Sequence, residues 1–240
     1  MDCQVRFLYH QGMPKSYGQS CAIARGLEVL GERWSLLIVR ELLIGPRRFT
    51  DLVANLPGVP TSLLGERLRA LESQGLLQKS RLPPPAASTV YELTGPGRAL
   101  EEVVLAIGRW ATLFGRRATA EDASRPEWQR YALKGAFRPE AATDVSRTFE
   151  IHFEDQVITA EVRRGRLDLA EGSAATPDLV VKTAFRTFME LVAGRLTLPD
   201  ARKRGLLDVE RGTSGDARLL VELFSARPVV VPVDLVNRPV

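Results

Sequence analysis

The sequence predicts an α+β chain of two domains, and three observations carry that expectation. Residues 20–115 repeat their apolar positions near the 3.6-residue period of helices, whereas residues 145–224 switch to strand-like alternation with helices interspersed. Between them, 116–142 (RRATAEDASRPEWQRYALKGAFRPEAA) is charged, Ala-rich and carries Pro126 and Pro139, which suits a connector with a partly helical course joining the two domains. A length of 240 residues accommodates two domains of the usual 100–150 residues each. The expected divisions are an N-terminal extension at 1–19, a first domain at 20–115, the connector at 116–142 and a second domain at 143–240.

Composition excludes several classes. At 45% hydrophobic and 26% charged residues, the chain has ordinary globular usage. No stretch approaches ~18 consecutive apolar residues, so no membrane helix is readable. The first twelve residues, with Cys3, Arg6 and His10, lack an apolar signal region. A soluble cytoplasmic protein is expected, with Met13 as an alternative start and 1–12 as an upstream extension. Cys3 and Cys21 are the only cysteines, and the two histidines, His10 and His152, are far apart. Neither a disulfide framework nor a metal site follows from such spacing, and no cofactor is expected. The net charge is +4, with 28 Arg among 33 basic residues. Between residues 44 and 81 there are six Arg or Lys against three Asp or Glu, compatible with a nucleic-acid footprint.

The first domain can be justified element by element. Ile23, Leu27 and Leu30 recur at i, i+4 and i+7, giving a helix that stops near Gly31. The run 34–44 (WSLLIVRELLI) is apolar almost all round and is buried on more than one side; Gly45-Pro46 ends it. Thr50 is a good N-cap for a short helix through Leu56, followed by the turn Pro57-Gly58-Val59-Pro60. Residues 61–74 form the next helix, with Leu64, Leu68 and Leu71 inward and Thr61, Ser62, Gly65, Glu66 and Arg69 outward. A short helix, a tight turn and a second helix with a polar N-terminal face make a helix-turn-helix. Two strand-like runs, 76–82 and 89–93, flank PPPAAS and read as a hairpin with a rigid tip, a wing. One helix is expected over 96–114, its face made by Leu100, Val103, Val104, Ile107, Trp110, Ala111 and Phe114. So large a stripe exceeds the internal needs of a small domain and predicts a dimer interface.

With these residues in view, the cysteine at 21, G-E-R-W, G-P-R-R-F, R-L-R-A-L-E-S-Q-G-L-L and Y-E-L-T-G-P-G resemble the HxlR-type winged helix-turn-helix transcription regulators over about 20–115. The resemblance implies a homodimer on double-stranded DNA, joined through the first and last helices, here Ile23, Leu27, Leu100, Val104, Ile107, Trp110 and Phe114. It implies that Thr61, Ser62, Glu66 and Arg69 face base edges, and that Arg47, Arg48, Arg67, Lys79 and Arg81 contact phosphates or grooves. Gly65 departs from the more usual polar residue, so direct readout is lost there, while Glu66 could accept from cytosine N4 or pair with a neighbouring Arg. In some relatives a cysteine at the position of Cys21 is a redox sensor; the bland reading is a small interface residue.

In the second domain Phe149, Ile151 and Phe153 alternate with Thr148, Glu150 and His152, and 156–162 repeats the pattern. A charged turn, Arg163-Arg164-Gly165-Arg166, precedes strand-like 167–169, and 178–182 is a further strand. Thr183 is expected to cap a helix bearing Phe185, Phe188, Met189 and Val192, then a short helix at 198–204, a strand at 206–209 and a last helix at 216–224 follow. The order strand, helix, A-G-R-L, short helix, G-x-L-x-V resembles sterol carrier protein-like domains over about 140–225. That resemblance implies a mixed α/β domain with an apolar cavity for a hydrophobic small molecule. Phe149, Ile151, Phe153, Phe185, Phe188, Met189 and Val192 are the candidate lining; the same side chains equally suit a plain core. His152 is expected to be a solvated strand residue.

No nucleophile elbow, phosphate loop, dinucleotide fingerprint or metal motif is present, and no enzyme is expected. The leading expectation is a DNA-binding regulator whose second domain senses an apolar effector. The alternatives are a lipid or small-molecule carrier whose winged domain serves for dimerisation, and a DNA reader whose second domain is purely structural.

Overall fold

The computed structural model describes residues 16–83, 87–117, 119, 122 and 124–225. The chain divides into two compact units, Met1–Val104 and Leu105–Val240.

The first unit begins with α1 (Ala22–Leu30), α2 (Ser35–Ile44), α3 (Phe49–Asn55) and α4 (Thr61–Ser73). The strands β1 (Leu77–Arg81) and β2 (Thr89–Leu93) follow, then α5 (Gly95–Arg98) and α6 (Glu101–Phe114). The division between the units falls inside α6. Ile38, Val39 and Leu42 of α2 form the core with Leu52, Leu56, Leu64, Leu68, Leu71, Leu77 and Leu93. The apolar wrap of α2 is explained by this position, where α3 and α4 both lean on it. β1 and β2 pair antiparallel from Leu77 opposite Leu93 to Arg81 opposite Thr89. Arg47 adds a short third strand: its N–H donates to the Tyr91 carbonyl (3.0 Å), and the Tyr91 N–H donates back (2.8 Å). The hairpin is thereby fastened to the segment leading into α3. Residues 84–86 of its tip lie outside the described residues.

Two local expectations change. Thr50 is not the cap of α3; the helix starts two residues earlier than that cap would give, with Arg48 at the N-cap donating its N–H to Asp51 Oδ2 (2.9 Å). An acid at the third helical position accepts the cap-residue N–H as half of a capping box, which moves the start. The single helix expected over 96–114 is broken into α5 and α6. Thr94 Oγ1 accepts the Gly97 N–H and donates to the Gly75 carbonyl (2.6 Å), pinning α5 to the end of α4. Gly97 lies against the Leu76 carbonyl, where any Cβ would collide. The chain then tightens through a Leu100-to-Gly97 bond before α6 resumes.

The second unit contains α7 (Pro126–Ala136), a 3₁₀ turn (Pro139–Ala141), β3 (Ser146–His152), β4 (Val157–Arg163), β5 (Arg166–Glu171) and β6 (Leu179–Thr183). It continues with α8 (Phe185–Val192), α9 (Leu198–Lys203), β7 (Leu207–Arg211) and α10 (Ser214–Leu223). The sheet order is β5-β4-β3-β6-β7, antiparallel except where β3 and β6 run parallel. Phe149, Ile151, Ile158, Ala160, Val162, Leu179 and Val181 share one core with Leu133, Phe188, Val192, Leu220, Leu223 and Phe224.

The segment expected as a connector thus contributes α7, whose Leu133 and Ala136 belong to this core. Pro126 at the first helical turn and the spacing of Leu133 against Ala136 outweigh the charged composition there. Thr183 ends β6 instead of capping α8; its Oγ1 donates to the Leu206 carbonyl (2.8 Å), and Ala184 is the N-cap. The second face of the sheet is covered in part, with Glu161 and Lys182 left exposed. The link from β5 to β6 passes over β4 and β3: Thr159 Oγ1 donates to the Gly172 carbonyl (2.8 Å), and the Ala174 N–H donates to Glu150 Oε2 (2.8 Å). Thr148, Glu150 and Thr159 are buried in consequence. Among the described residues no helix is long and apolar enough to cross a membrane.

Candidate nucleic-acid interface

α4 is held by one face and offers the other. Leu64, Leu68 and Leu71 are buried, while Thr61, Ser62, Glu66 and Arg69 are exposed, as the leucine spacing requires. The N-cap is Pro60, which makes no side-chain cap, so the first N–H groups of α4 stay open. Such an end favours an anion. Gly65 sits beneath the Arg69 guanidinium, whose Nη1 is 3.6 Å from where a Cβ would stand. A Cβ there would make an ordinary van der Waals contact with the arginine.

The predicted phosphate contacts separate into two groups. Arg48 and Arg81 are exposed and, like Arg69, form no side-chain ion pair among the described residues. Lys79 is exposed but held by Glu72 (3.0 Å), which raises its pKa by hydrogen bond and charge, and its Nζ lies 5.7 Å from the Tyr91 ring centre. Arg47 is half-buried, its Nε out of contact with solvent and without a partner. Arg67 turns inward: it donates to Glu32 Oε2 (2.8 Å) from Nη2, to Glu66 Oε1 (2.9 Å) from Nη1 and to the Arg33 carbonyl (3.4 Å) from Nε. All three of its donor nitrogens are thus engaged by acceptors within the chain. Sequence reasoning allowed a pair with Glu66 but missed Glu32, because 35 residues separate the partners.

Buried beneath this surface, Glu41 was not anticipated. Its Oε1 accepts from Arg40 Nη2 (2.7 Å) and its Oε2 from Asn55 Nδ2 (3.0 Å), which links α2 to the end of α3. A charged residue in an apolar run was the available signal, since a buried carboxylate needs partners.

Of the predicted dimer residues, Ile23 and Leu27 on α1 and Ile107, Trp110 and Phe114 on α6 are exposed, Trp110 by 61% and Phe114 by 65%. Leu100 and Val104 instead pack on the first unit's own core, and Val103 takes an exposed place. Exposed Leu37 on α2 was missed. Cys21 is the exposed N-cap of α1; it forms no side-chain cap bond, but the nearby Ala24 and Ile23 N–H groups hold its thiol below the ordinary range. Cys3 and His10 lie outside the described residues.

In the second unit Phe149, Ile151, Phe188 and Val192 are fully buried, Phe153 is buried, and Phe185 and Met189 are half-buried. Their rings fill space against one another: Phe153 stands edge-on to Phe185 (5.3 Å) and Phe188 (5.9 Å), and Phe188 to Phe224 (6.0 Å). His152 is half-buried, not solvated; its Nε2 lies 2.6 Å from Oε1 of buried Glu150. The strap over this face is what removes the solvent expected there.

Residues 29–119 match the family model described as HxlR-like helix-turn-helix. The chain is 36% identical over 88 residues to the uncharacterised HTH-type transcriptional regulator YvaP of Bacillus subtilis (strain 168), spanning 37% of this chain and 82% of that one. It is 35% identical over 86 residues to the HTH-type transcriptional regulator YodB of the same organism, spanning 36% and 77%. The solved reduced form of YodB from B. subtilis is 30% identical, with a TM-score of 0.37, and covers 42% of this chain and 100% of its own. The described residues place a short helix, a turn, a helix with an open polar face and a hairpin in that order, and by the family model and the two curated relatives the chain belongs, through residues 29–119, to the HxlR-like helix-turn-helix family.

Proposed function

We propose that this chain is a cytoplasmic DNA-binding transcription regulator. It acts as a homodimer, reading a pseudo-palindromic operator in double-stranded DNA through α4 and the β1–β2 wing. The observation that carries the reading is the outer face of α4: Thr61, Ser62, Glu66 and Arg69 stand exposed on a helix clamped by three buried leucines, with unpaired Arg48 and Arg81 in the flanking segments. Arg69 has the fork that reads guanine edges, and Arg48 and Arg81 suit phosphates. The exposed apolar positions of α1 and α6 are assigned to a second copy, the redox-sensor role to Cys21, and no catalytic chemistry to either unit.

The second unit is proposed as a sterol carrier-like sensor of a hydrophobic small molecule. What supports this is the chain order β6, α8, Ala193-Gly194-Arg195-Leu196, α9 and β7, together with the aromatic side chains Phe149, Phe153, Phe188 and Phe224 in the core. An effector would act only by binding DNA-competent and DNA-incompetent forms unequally.

The test is anisotropy on a duplex selected from a random pool, against a scrambled duplex at the same salt. A preference of about 10³ or more marks a sequence reader. Arg69→Ala should lose about 1–3 kcal/mol of that discrimination, whereas Arg48→Ala should weaken both duplexes alike and lower the salt slope by about 0.9. Equal losses from the two variants would sink the division of roles, and apolar probe binding with indifference to sequence would favour a carrier.

A further inference from the structure

Arg67 occupies the middle of α4, yet its side chain is only 14% exposed. Its three nitrogens meet three acceptors: the Glu32 carboxylate, the Arg33 carbonyl and the Glu66 carboxylate. Glu32 and Arg33 lie in the turn between α1 and α2, and the neighbouring Arg33 guanidinium covers the Trp34 ring at 5.2 Å. A guanidinium is planar and carries its donors in fixed directions, so one that satisfies three acceptors fixes their relative positions. Here it ties the helix that faces DNA to the end of α1.

We propose that Arg67 is a positioning residue and not a DNA contact: by bridging Glu32 and Glu66 it seats α4 against the α1–α2 turn and orients the Glu66 carboxylate on the reading face. This rests on the DNA-reading function proposed above. It also gives α1, which bears Ile23 and Leu27, a direct mechanical link to α4. A shift of α1 would move the reading helix through one side chain.

The two roles predict opposite outcomes, because a phosphate contact needs only positive charge whereas a tie needs the fork and its acceptors. The experiment compares Arg67→Ala, Arg67→Lys, Glu32→Gln and the double variant Arg67→Ala/Glu32→Gln in the full-length protein. Two readouts are taken: affinity for the selected duplex across a salt series, and denaturant unfolding without DNA. For a tie, each single variant weakens the selected duplex about 2–10-fold, Lys does not rescue, the double variant is no worse than Arg67→Ala, and the salt slope stays at its wild-type value. For a phosphate contact, Arg67→Ala lowers the slope by about 0.9, Lys largely restores binding, and Glu32→Gln leaves or raises affinity by removing a negative charge. That second pattern would overturn the proposal. If the wild type shows no preference between duplexes, the DNA reading itself fails. The tie is then judged by unfolding alone: a non-additive Arg67–Glu32 cycle sustains it, and an additive cycle rejects it.

Discussion

At the scale of single residues, two side chains link the folded geometry to protonation. Burial opposes ionisation of Glu150, but the His152 ring, the Ala174 N–H and Ser173 outweigh it and hold the carboxyl below the usual range. A carboxylate depressed in the folded state stabilises above its unfolded pKa, about 4.3, and that contribution is lost as pH falls through the lower folded value. Glu150→Gln should therefore have a lower denaturation midpoint than wild type at pH 7, and the gap should close below about pH 4; a gap constant from pH 7 to 3 would contradict the assignment. Cys21 shifts in the same direction, through the N–H groups of its own helix start. In a Cys3→Ser background, alkylation of Cys21 should reach half its maximal rate at a lower pH than a free thiol, about 8.5. A Cys21 profile matching the free thiol would remove the support for a sensing role.

Elements carry a different kind of prediction. No residue of α6 is fully buried: Val104 and Leu113 are half-buried against the cores of the first and second units, while Ile107, Trp110 and Phe114 stand exposed along it with Trp110 and Phe114 in ring contact at 6.3 Å. Burying an aromatic side chain of this size is worth roughly 1.5–3 kcal/mol, so leaving two in water favours a partner. Trp110→Asp should convert a dimer to a monomer in sedimentation equilibrium while leaving the helical circular dichroism of the chain intact. A wild-type monomer, or a variant that still dimerises with wild-type affinity, would refute the assignment of this face to a second copy. α5 shows why the face is shorter than its sequence stripe: the break at Leu100 sends Leu100 and Val104 into the first unit's core.

For the whole molecule, the decisive fact is that, among the described residues, each unit has a main core of its own, one centred on α2 and one on the five-stranded sheet. Damage to one core should be readable without damage to the other. Phe188 is fully buried among Phe153, Phe224 and the sheet, so Phe188→Ala should cost the second unit about 3–5 kcal/mol. The expected outcome is an earlier unfolding transition for that unit and an unmoved one for the first. A smaller loss, recovered on adding an apolar probe, would support a cavity at this site.

Much of this protein is legible along the chain because its signals are local. Leu64, Leu68 and Leu71 place the outer face of α4 through helical period alone, and Phe149 and Ile151 place one face of β3 through alternation. Gly31, Gly75 and the proline-rich turns mark where elements stop. Tertiary structure decided the rest, and in each case the partner is distant in sequence. Arg67 and Arg69 are indistinguishable as residue types on one helix; Glu32, brought up by the α1–α2 turn, withdraws only the first from the surface. His152 alternates onto a face that looks polar, and the strap from Gly172 to Asp178, bonded to Thr159 and Glu150, helps to bury part of that face. Periodicity specifies which way a side chain points. What meets it there depends on contacts between segments that no local pattern encodes.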